Sequence, residues 1–212
     1  MPVKVKICGL TRPQDADLAV ASGAWALGLN FFDESPRHVD LETAAEIATT
    51  HRRRAEVAGV FVNAPLDEVL ATLGSVPLTI LQFHGDEGPA YCAEAARRSG
   101  LKVMKAVPAK DAHAVQALTP FRTDFHMLDA YVPGRYGGTG EPFAWDLAAA
   151  HPGRPPLVLA GGLTPENVGE ALSVARPYAV DVASGVEASP GIKDPDRMHR
   201  FFEAVEQAAA PA

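Results

Sequence analysis

The chain has 212 residues, 47% of them hydrophobic and 21% charged, the balance of a soluble globular protein with one sizeable core and one domain expected. A formal charge of -7, with "HRRR" at His51 to Arg54 as the one basic cluster, argues against nucleic acid as a main partner. No run approaches the roughly 20 apolar residues of a membrane span, and the start "MPVKVKICG" lacks a basic segment followed by a long apolar one, so a cytoplasmic protein without a membrane partner is expected.

Runs rich in Val, Ile, Leu and Phe recur along the chain. They fall at Val3 to Ile7, Trp25 to Phe31, Glu56 to Val62, Leu78 to Phe83, Leu101 to Val107, Asp124 to Leu128, Pro156 to Leu159 and Tyr178 to Val182. Helix-like stretches alternate with them. "HRRR" reads as the solvated end of one helix, and Cys92 in "AYCAEAARR" as packing within another. The clearest helix has Thr164 as N-cap, Pro165 as first residue and an apolar stripe of Val168, Ala171, Leu172 and Ala175. The last carries Met198, Phe201, Phe202 and Val205, and "QAAAPA" at 207–212 reads as a frayed tail. Strands alternating with helices make a parallel sheet, because each crossover returns the chain to the same edge. Eight such units predict a closed single-domain (βα)8 TIM barrel. An open doubly wound sheet would announce a nucleotide site by a glycine-rich turn after its first strand, and the turn here, "ICGLT", has one glycine.

In such a barrel the C-terminal strand ends face the mouth where chemistry occurs. Strands seven and eight end in "AGGLT" and "ASGVE", and glycine lets backbone N–H groups approach an anion closely, so these loops read as two sides of a phosphate cup. Glycine is also common in any tight turn between a strand and a helix; the signal lies in having two such loops in adjacent units. Cys8 ends strand one and Asp129 ends strand six. Strands seven and eight separate them around the ring, a layout for acid and base on opposite faces of a phosphorylated substrate. Taken singly, a small buried thiol is as often core, and an aspartate at a strand end is more often a cap. Two cysteines, Cys8 and Cys92, are too few for a disulfide framework, and zinc-ligand spacing is absent.

Together "KICGLT", "SPR", "GVFVN", "QFHGDE", "LD...YGGTG.PFAW", "LAGGLTPENV" and "AVDVASGVE..PGIKD" resemble the phosphoribosylanthranilate isomerase family of tryptophan biosynthesis, in order, from Val3 to about Phe202. The resemblance implies an Amadori rearrangement of N-(5-phosphoribosyl)anthranilate to 1-(2-carboxyphenylamino)-1-deoxyribulose 5-phosphate. It implies Cys8 as general base and Asp129 as general acid, with no metal and no cofactor, because the iminium formed from the substrate is its own electron sink. An unperturbed thiol titrates at ~8.5, within reach of that task. The resemblance further implies Arg37 as partner of the substrate carboxylate, Asp181 near the anthranilate amine, and Gln82 and His84 lining the mouth. Gly140, Gly161, Gly162, Ser184 and Gly185 are the implied phosphate-binding residues. The small phosphorylated substrate is the expected partner, and the chain is expected to be a monomer or homodimer.

Departures from the family pattern are small. Ala160 and Ala183 stand where many members have serine, Phe83 replaces a leucine, and "AYVPGRYGGTG" has the composition of a mobile lid. Three rivals are weaker. A related isomerase of histidine biosynthesis would need a second phosphate cup opposite the first and uses an aspartate where Cys8 stands. A non-catalytic sugar-phosphate-binding barrel has no reason to keep both Cys8 and Asp129. A metal-dependent epimerase lacks an evident ligand set.

Overall fold

A computed structural model describes residues 2–129 and 145–209. Eight strands pair in parallel in chain order: β1 (Lys4–Cys8), β2 (Ala26–Asn30), β3 (Glu56–Phe61), β4 (Ile80–Phe83), β5 (Lys102–Pro108), β6 (Phe125–Asp129), β7 (Leu157–Ala160) and β8 (Ala179–Val182). β8 closes onto β1 with Lys6 opposite Asp181, so the sheet is a closed barrel as expected, with strand boundaries within two residues of the predicted runs.

The helices begin where local chemistry favours it. Pro13 opens α1 (Pro13–Ala21) and Pro89 opens α4 (Pro89–Ser99), positions where the missing proline N–H costs nothing. The Asp40 side chain accepts from the backbone N–H of Thr43 at 2.8 Å to cap α2 (Leu41–His51), and Asp111 does the same for α5 (Ala112–Gln116). α3 (Leu66–Leu73), α6 (Val168–Ala175) and α7 (Pro195–Ala209) complete the set.

Four details differ from expectation. α6 starts at Val168 rather than Pro165, because the Asn167 side chain folds back, accepting from Thr164 N–H at 2.8 Å and donating to Gly162 O at 2.9 Å. Thr164 still caps the preceding turn, its Oγ1 accepting from Glu166 N–H. In the sixth crossover, the described residues hold a 3₁₀ turn, Asp146–Ala150. Residues 207–209 continue α7 rather than fray, while 210–212 lie outside the described residues. After β8 a small antiparallel hairpin, β9 (Glu187–Ser189) and β10 (Ile192–Lys193), intervenes before α7, pinned to the first crossover by the Thr11 hydroxyl donating to Gly191 O at 2.6 Å.

Alternate residues of each strand face opposite sides, which divides the core in two. Ile7, Leu27, Val57, Leu81, Val103, Leu128, Leu159 and Val182 meet the helices outside the barrel, among them Met198, Phe201, Phe202 and Val205, the predicted stripe of α7. Burial of each large side chain there contributes ~1.5–3 kcal/mol. Ile80, Met104, Phe125, Met127 and Val158 fill the inside. Trp25 meets Phe125 and Tyr178 edge to face at the N-terminal end, and the Lys4 ammonium lies over Trp25 and Tyr178. No described helix is long and apolar enough to cross a membrane.

A histidine pair, buried His126 on the outer face of β6 and half-buried His151 after the 3₁₀ turn, makes stability depend on pH. Gly153 N–H donates to His151 Nδ1, so His151 Nε2–H donates to His126 Nδ1 at 3.0 Å and His126 Nε2–H to Phe121 O, a chain that needs both rings neutral. Burial, then the neighbouring His151, pushes His126 down to about 4, and burial lowers His151 as well. Between the ordinary histidine value and that depressed one the unfolded chain binds a proton that the folded chain refuses. Stability is therefore full above pH ~6.5 and falls as the pH drops towards 4, by up to ~3 kcal/mol for His126. The melting temperature measured from pH 7.5 to 4.5 should decline, and His126→Gln should flatten the decline; equal slopes would exclude the pair as its source.

Candidate active site

The site grows from the alternation of β1. Val5 and Ile7 face the helices, so Lys6 and Cys8 share the inner face. Lys6 is fully buried, and its ammonium donates to Asp181 Oδ1 across the β1–β8 seam at 2.6 Å. Breaking such a buried pair by removing one partner typically costs about 3–5 kcal/mol. Room for these groups comes from Gly28 on β2, which pairs with Cys8: a Cβ there would lie 2.7 Å from Cys8 Sγ and 2.9 Å from Lys6 Nζ. The Cys8 thiol is pushed above its ordinary value by burial and by the Asp181 carboxylate, against which Lys6 and Lys193 pull it down. The unperturbed thiol assumed from sequence is thus not what the fold supplies. Burial alone would lower Lys6, yet Asp181 and Cys8 together hold it above the usual lysine range.

Gly9, next along the chain, has φ +71° and no side chain; a Cβ would come within 2.5 Å of Arg37 Cδ, so glycine lets the arginine stem lie over the end of β1. The expected bidentate pairing of Arg37 is made here with Glu187, Nε to Oε1 at 2.9 Å and Nη2 to Oε2 at 2.7 Å. A substrate carboxylate would therefore meet the Nη1–Nη2 edge instead. The bond to Glu187 raises Arg37; for Glu187, Arg37 and Lys193 outweigh burial and hold its carboxyl below the usual range. Lys193 Nζ donates to Cys8 O at 2.6 Å, Ala183 O at 3.2 Å and Glu187 Oε1 at 2.9 Å, tying the hairpin to the ends of β1 and β8.

On the other side of the mouth, Asp129 ends β6 on the inner face, two residues beyond Met127. Its Oδ2 lies 3.2 Å from His84 Nε2, and His84 Nδ1 lies 3.3 Å from Gln82 Nε2. The amide nitrogen of Gln82 can only donate, so His84 Nδ1 accepts and Nε2–H donates to Asp129. Gln82 and His84 thus support Asp129 as a chain. Asp181, expected beside the substrate amine, sits with Lys6 and Cys8.

The glycine loops of β7 and β8 touch. A Cβ on Gly185 would fall 1.9 Å from Leu163 O, so only glycine lets the turn at Ser184–Val186 settle against the loop after β7. Gly161 and Gly162 have φ +91° and +63°, a backbone course that glycine permits. Gly140 and the lid expected in "AYVPGRYGGTG" lie outside the described residues. Across the ring, after β3 and β4, Asn63 N–H and Gly85 N–H donate to the Glu87 carboxylate and Asp86 N–H to Asn63 Oδ1. Those N–H groups are thereby committed to side chains, with Glu87 itself paired to Lys105 Nζ at 2.8 Å, and are not presented to a second phosphate.

Sequence reasoning missed Lys6, Glu187 and Lys193. For Lys6 a signal existed, its i, i+2 relation to Cys8 on a strand; Glu187 and Lys193 reach the site through a hairpin that local pattern did not announce. Cys8 with Lys6, Asp181, Arg37, Glu187 and Lys193 form one charged wall, and Asp129 with His84 and Gln82 the other. Such walls can move protons at opposite ends of a small anion seated between them.

Residues 5–204 match the family model described as N-(5'phosphoribosyl)anthranilate (PRA) isomerase. The chain is 48% identical over 199 residues to N-(5'-phosphoribosyl)anthranilate isomerase of Citrifermentans bemidjiense, covering 94% of this chain and 95% of that protein. Among solved structures, phosphoribosyl anthranilate isomerase from Thermotoga maritima superposes with a TM-score of 0.85 at 39% identity, over 97% of this chain and 99% of that one. A phosphoribosyl anthranilate isomerase in complex with reduced 1-(o-carboxyphenylamino)-1-deoxyribulose 5-phosphate superposes with a TM-score of 0.83 at 36% identity, with the same coverage of both chains.

Proposed function

The chain belongs to the N-(5'-phosphoribosyl)anthranilate isomerase family, and we propose that within it Cys8 is the general base and Asp129 the general acid. The reaction it catalyses is the Amadori rearrangement of N-(5-phosphoribosyl)anthranilate to 1-(2-carboxyphenylamino)-1-deoxyribulose 5-phosphate, a step of tryptophan biosynthesis. The observation that carries the assignment is placement: Cys8 and Asp129 end β1 and β6 on the inner face, with the touching glycine loops of β7 and β8 between them.

Asp129 gives a proton to the ribose ring oxygen, the C1–O bond breaks, and the nitrogen lone pair forms the iminium. The Cys8 thiolate then takes the C2 proton, and the C–H electrons pass into the iminium to leave an enolamine. Loss of the 2-hydroxyl proton and protonation at C1 give the ketone. The His84 N–H bond to Asp129 fixes the acid's orientation and joins it to a group able to return a proton after each turnover. Gly161, Gly162, Ser184 and Gly185 hold the single phosphate through backbone N–H groups, and Gly140 joins them from the sixth loop. Asp181 faces the substrate amine from the Lys6 pair.

Arg37 receives the benzoate through its Nη1–Nη2 edge. Arg37→Ala should raise KM by roughly 10- to 100-fold, the loss of one charge-assisted pair, with kcat little changed. An effect on kcat alone would contradict carboxylate recognition.

The assignment of function is tested by the decay of anthranilate-type fluorescence when purified protein meets phosphoribosylanthranilate generated in place, with EDTA present. Rapid decay is expected and chelation should leave it unchanged. Loss of activity in EDTA would sink the metal-free mechanism.

A further inference from the structure

We propose that Lys6 is a positioning residue for the base: its buried ammonium, anchored by Asp181 and sharing with Cys8 Sγ the space above Gly28, stabilises the Cys8 thiolate. The inference rests on the reading of Cys8 as base and adds the group that makes a half-buried thiol usable.

Among the described residues three cations surround Cys8, and donor counting separates them. Lys193, on β10, has three ammonium hydrogens and three acceptors, Cys8 O, Ala183 O and Glu187 Oε1. Arg37, in the loop after β2, has its Nε and Nη2 on Glu187. Lys6 donates to Asp181 Oδ1, and its remaining ammonium hydrogens face Cys8, whose sulfur it reaches as a side-chain hydrogen-bond donor. Cys8 is where a second anion forms: its sulfur and the Lys6 nitrogen both lie within 3 Å of the point a Gly28 side chain would occupy. Among the described residues, the anionic side chain that acts on Cys8 is Asp181 of β8; Glu187 of β9 is held by Arg37 and Lys193. Without Lys6, a thiolate would form in a half-buried site beside a carboxylate, and both desolvation and repulsion disfavour it. Lys6 stays protonated throughout and exchanges no proton with substrate.

The test is the pH dependence of Cys8 alkylation by iodoacetamide, followed by mass spectrometry, with the buried Cys92 as internal reference. In Lys6→Met the Cys8 midpoint should move up by about one unit or more, so that alkylation at pH 7 slows ~10-fold. The acidic limb of kcat/KM should move up with it. In Asp181→Asn the midpoint should move down, because the carboxylate's repulsion is gone and the ammonium turns to the thiolate. Folded Lys6→Met with an unchanged midpoint overturns the proposal; should that variant not fold, an unchanged or raised midpoint in Asp181→Asn does so. Failure of the underlying reading is visible separately. Cys8→Ala with wild-type turnover removes Cys8 as base whatever the alkylation midpoints do.

Discussion

Asp129→Asn should lower kcat by roughly 10²- to 10⁴-fold while KM stays close to the wild-type value. Asparagine is nearly isosteric and keeps an amide oxygen that can accept the His84 Nε2–H bond now made to Asp129 Oδ2 at 3.2 Å. The wall of Gln82, His84 and residue 129 therefore keeps its shape. What is lost is a carboxyl proton for the ring oxygen, so the variant should bind substrate and fail to open the ring. The fluorescence assay at saturating substrate reads this directly. A kcat within tenfold of wild type would remove Asp129 from the chemistry and point to His84 as the donor.

Cys8→Ala should fall by a similar factor, and Cys8→Ser should not restore it. Serine keeps the volume and a polar atom at the end of β1, but its hydroxyl ionises far above any working pH and cannot become the base that a thiol can. The Lys6–Asp181 pair and the Lys193 bond to the residue 8 carbonyl involve no cysteine side-chain atom, so the wall survives either change. Near-normal turnover in Cys8→Ser would mean that position 8 positions rather than reacts. Because the fold raises the thiol above its ordinary value, the wild-type kcat/KM should climb with pH through the neutral range.

Why a base is placed where its charged form is disfavoured follows from the chemistry. A thiolate stripped of water is a stronger proton acceptor, provided that a fixed cation makes its formation possible. The β1–β8 seam supplies that cation within the barrel wall, on a strand rather than a loop, so it costs no reorganisation during the reaction.

Local pattern in the sequence determined the strands and their order. A buried strand must be apolar, so runs such as Val3 to Ile7 and Tyr178 to Val182 could be placed from their composition, and closure followed from the count of eight units. The glycines after β7 and β8 and the placement of Cys8 and Asp129 at strand ends were legible for the same reason, since each depends only on where a strand stops. Tertiary structure alone decided the charged partners. Glu187 binds Arg37 across 150 positions of sequence, Lys193 reaches Cys8 across 185, and Asp181 meets Lys6 only because the barrel closes. A buried charge is tolerated only when paired, and its partner is set by where closure brings the chain, a long-range condition that no local spacing encodes. The thiol's raised pKa belongs to the same class, because it is the sum of burial and neighbours that exist only once β1, β8 and the hairpin have come together.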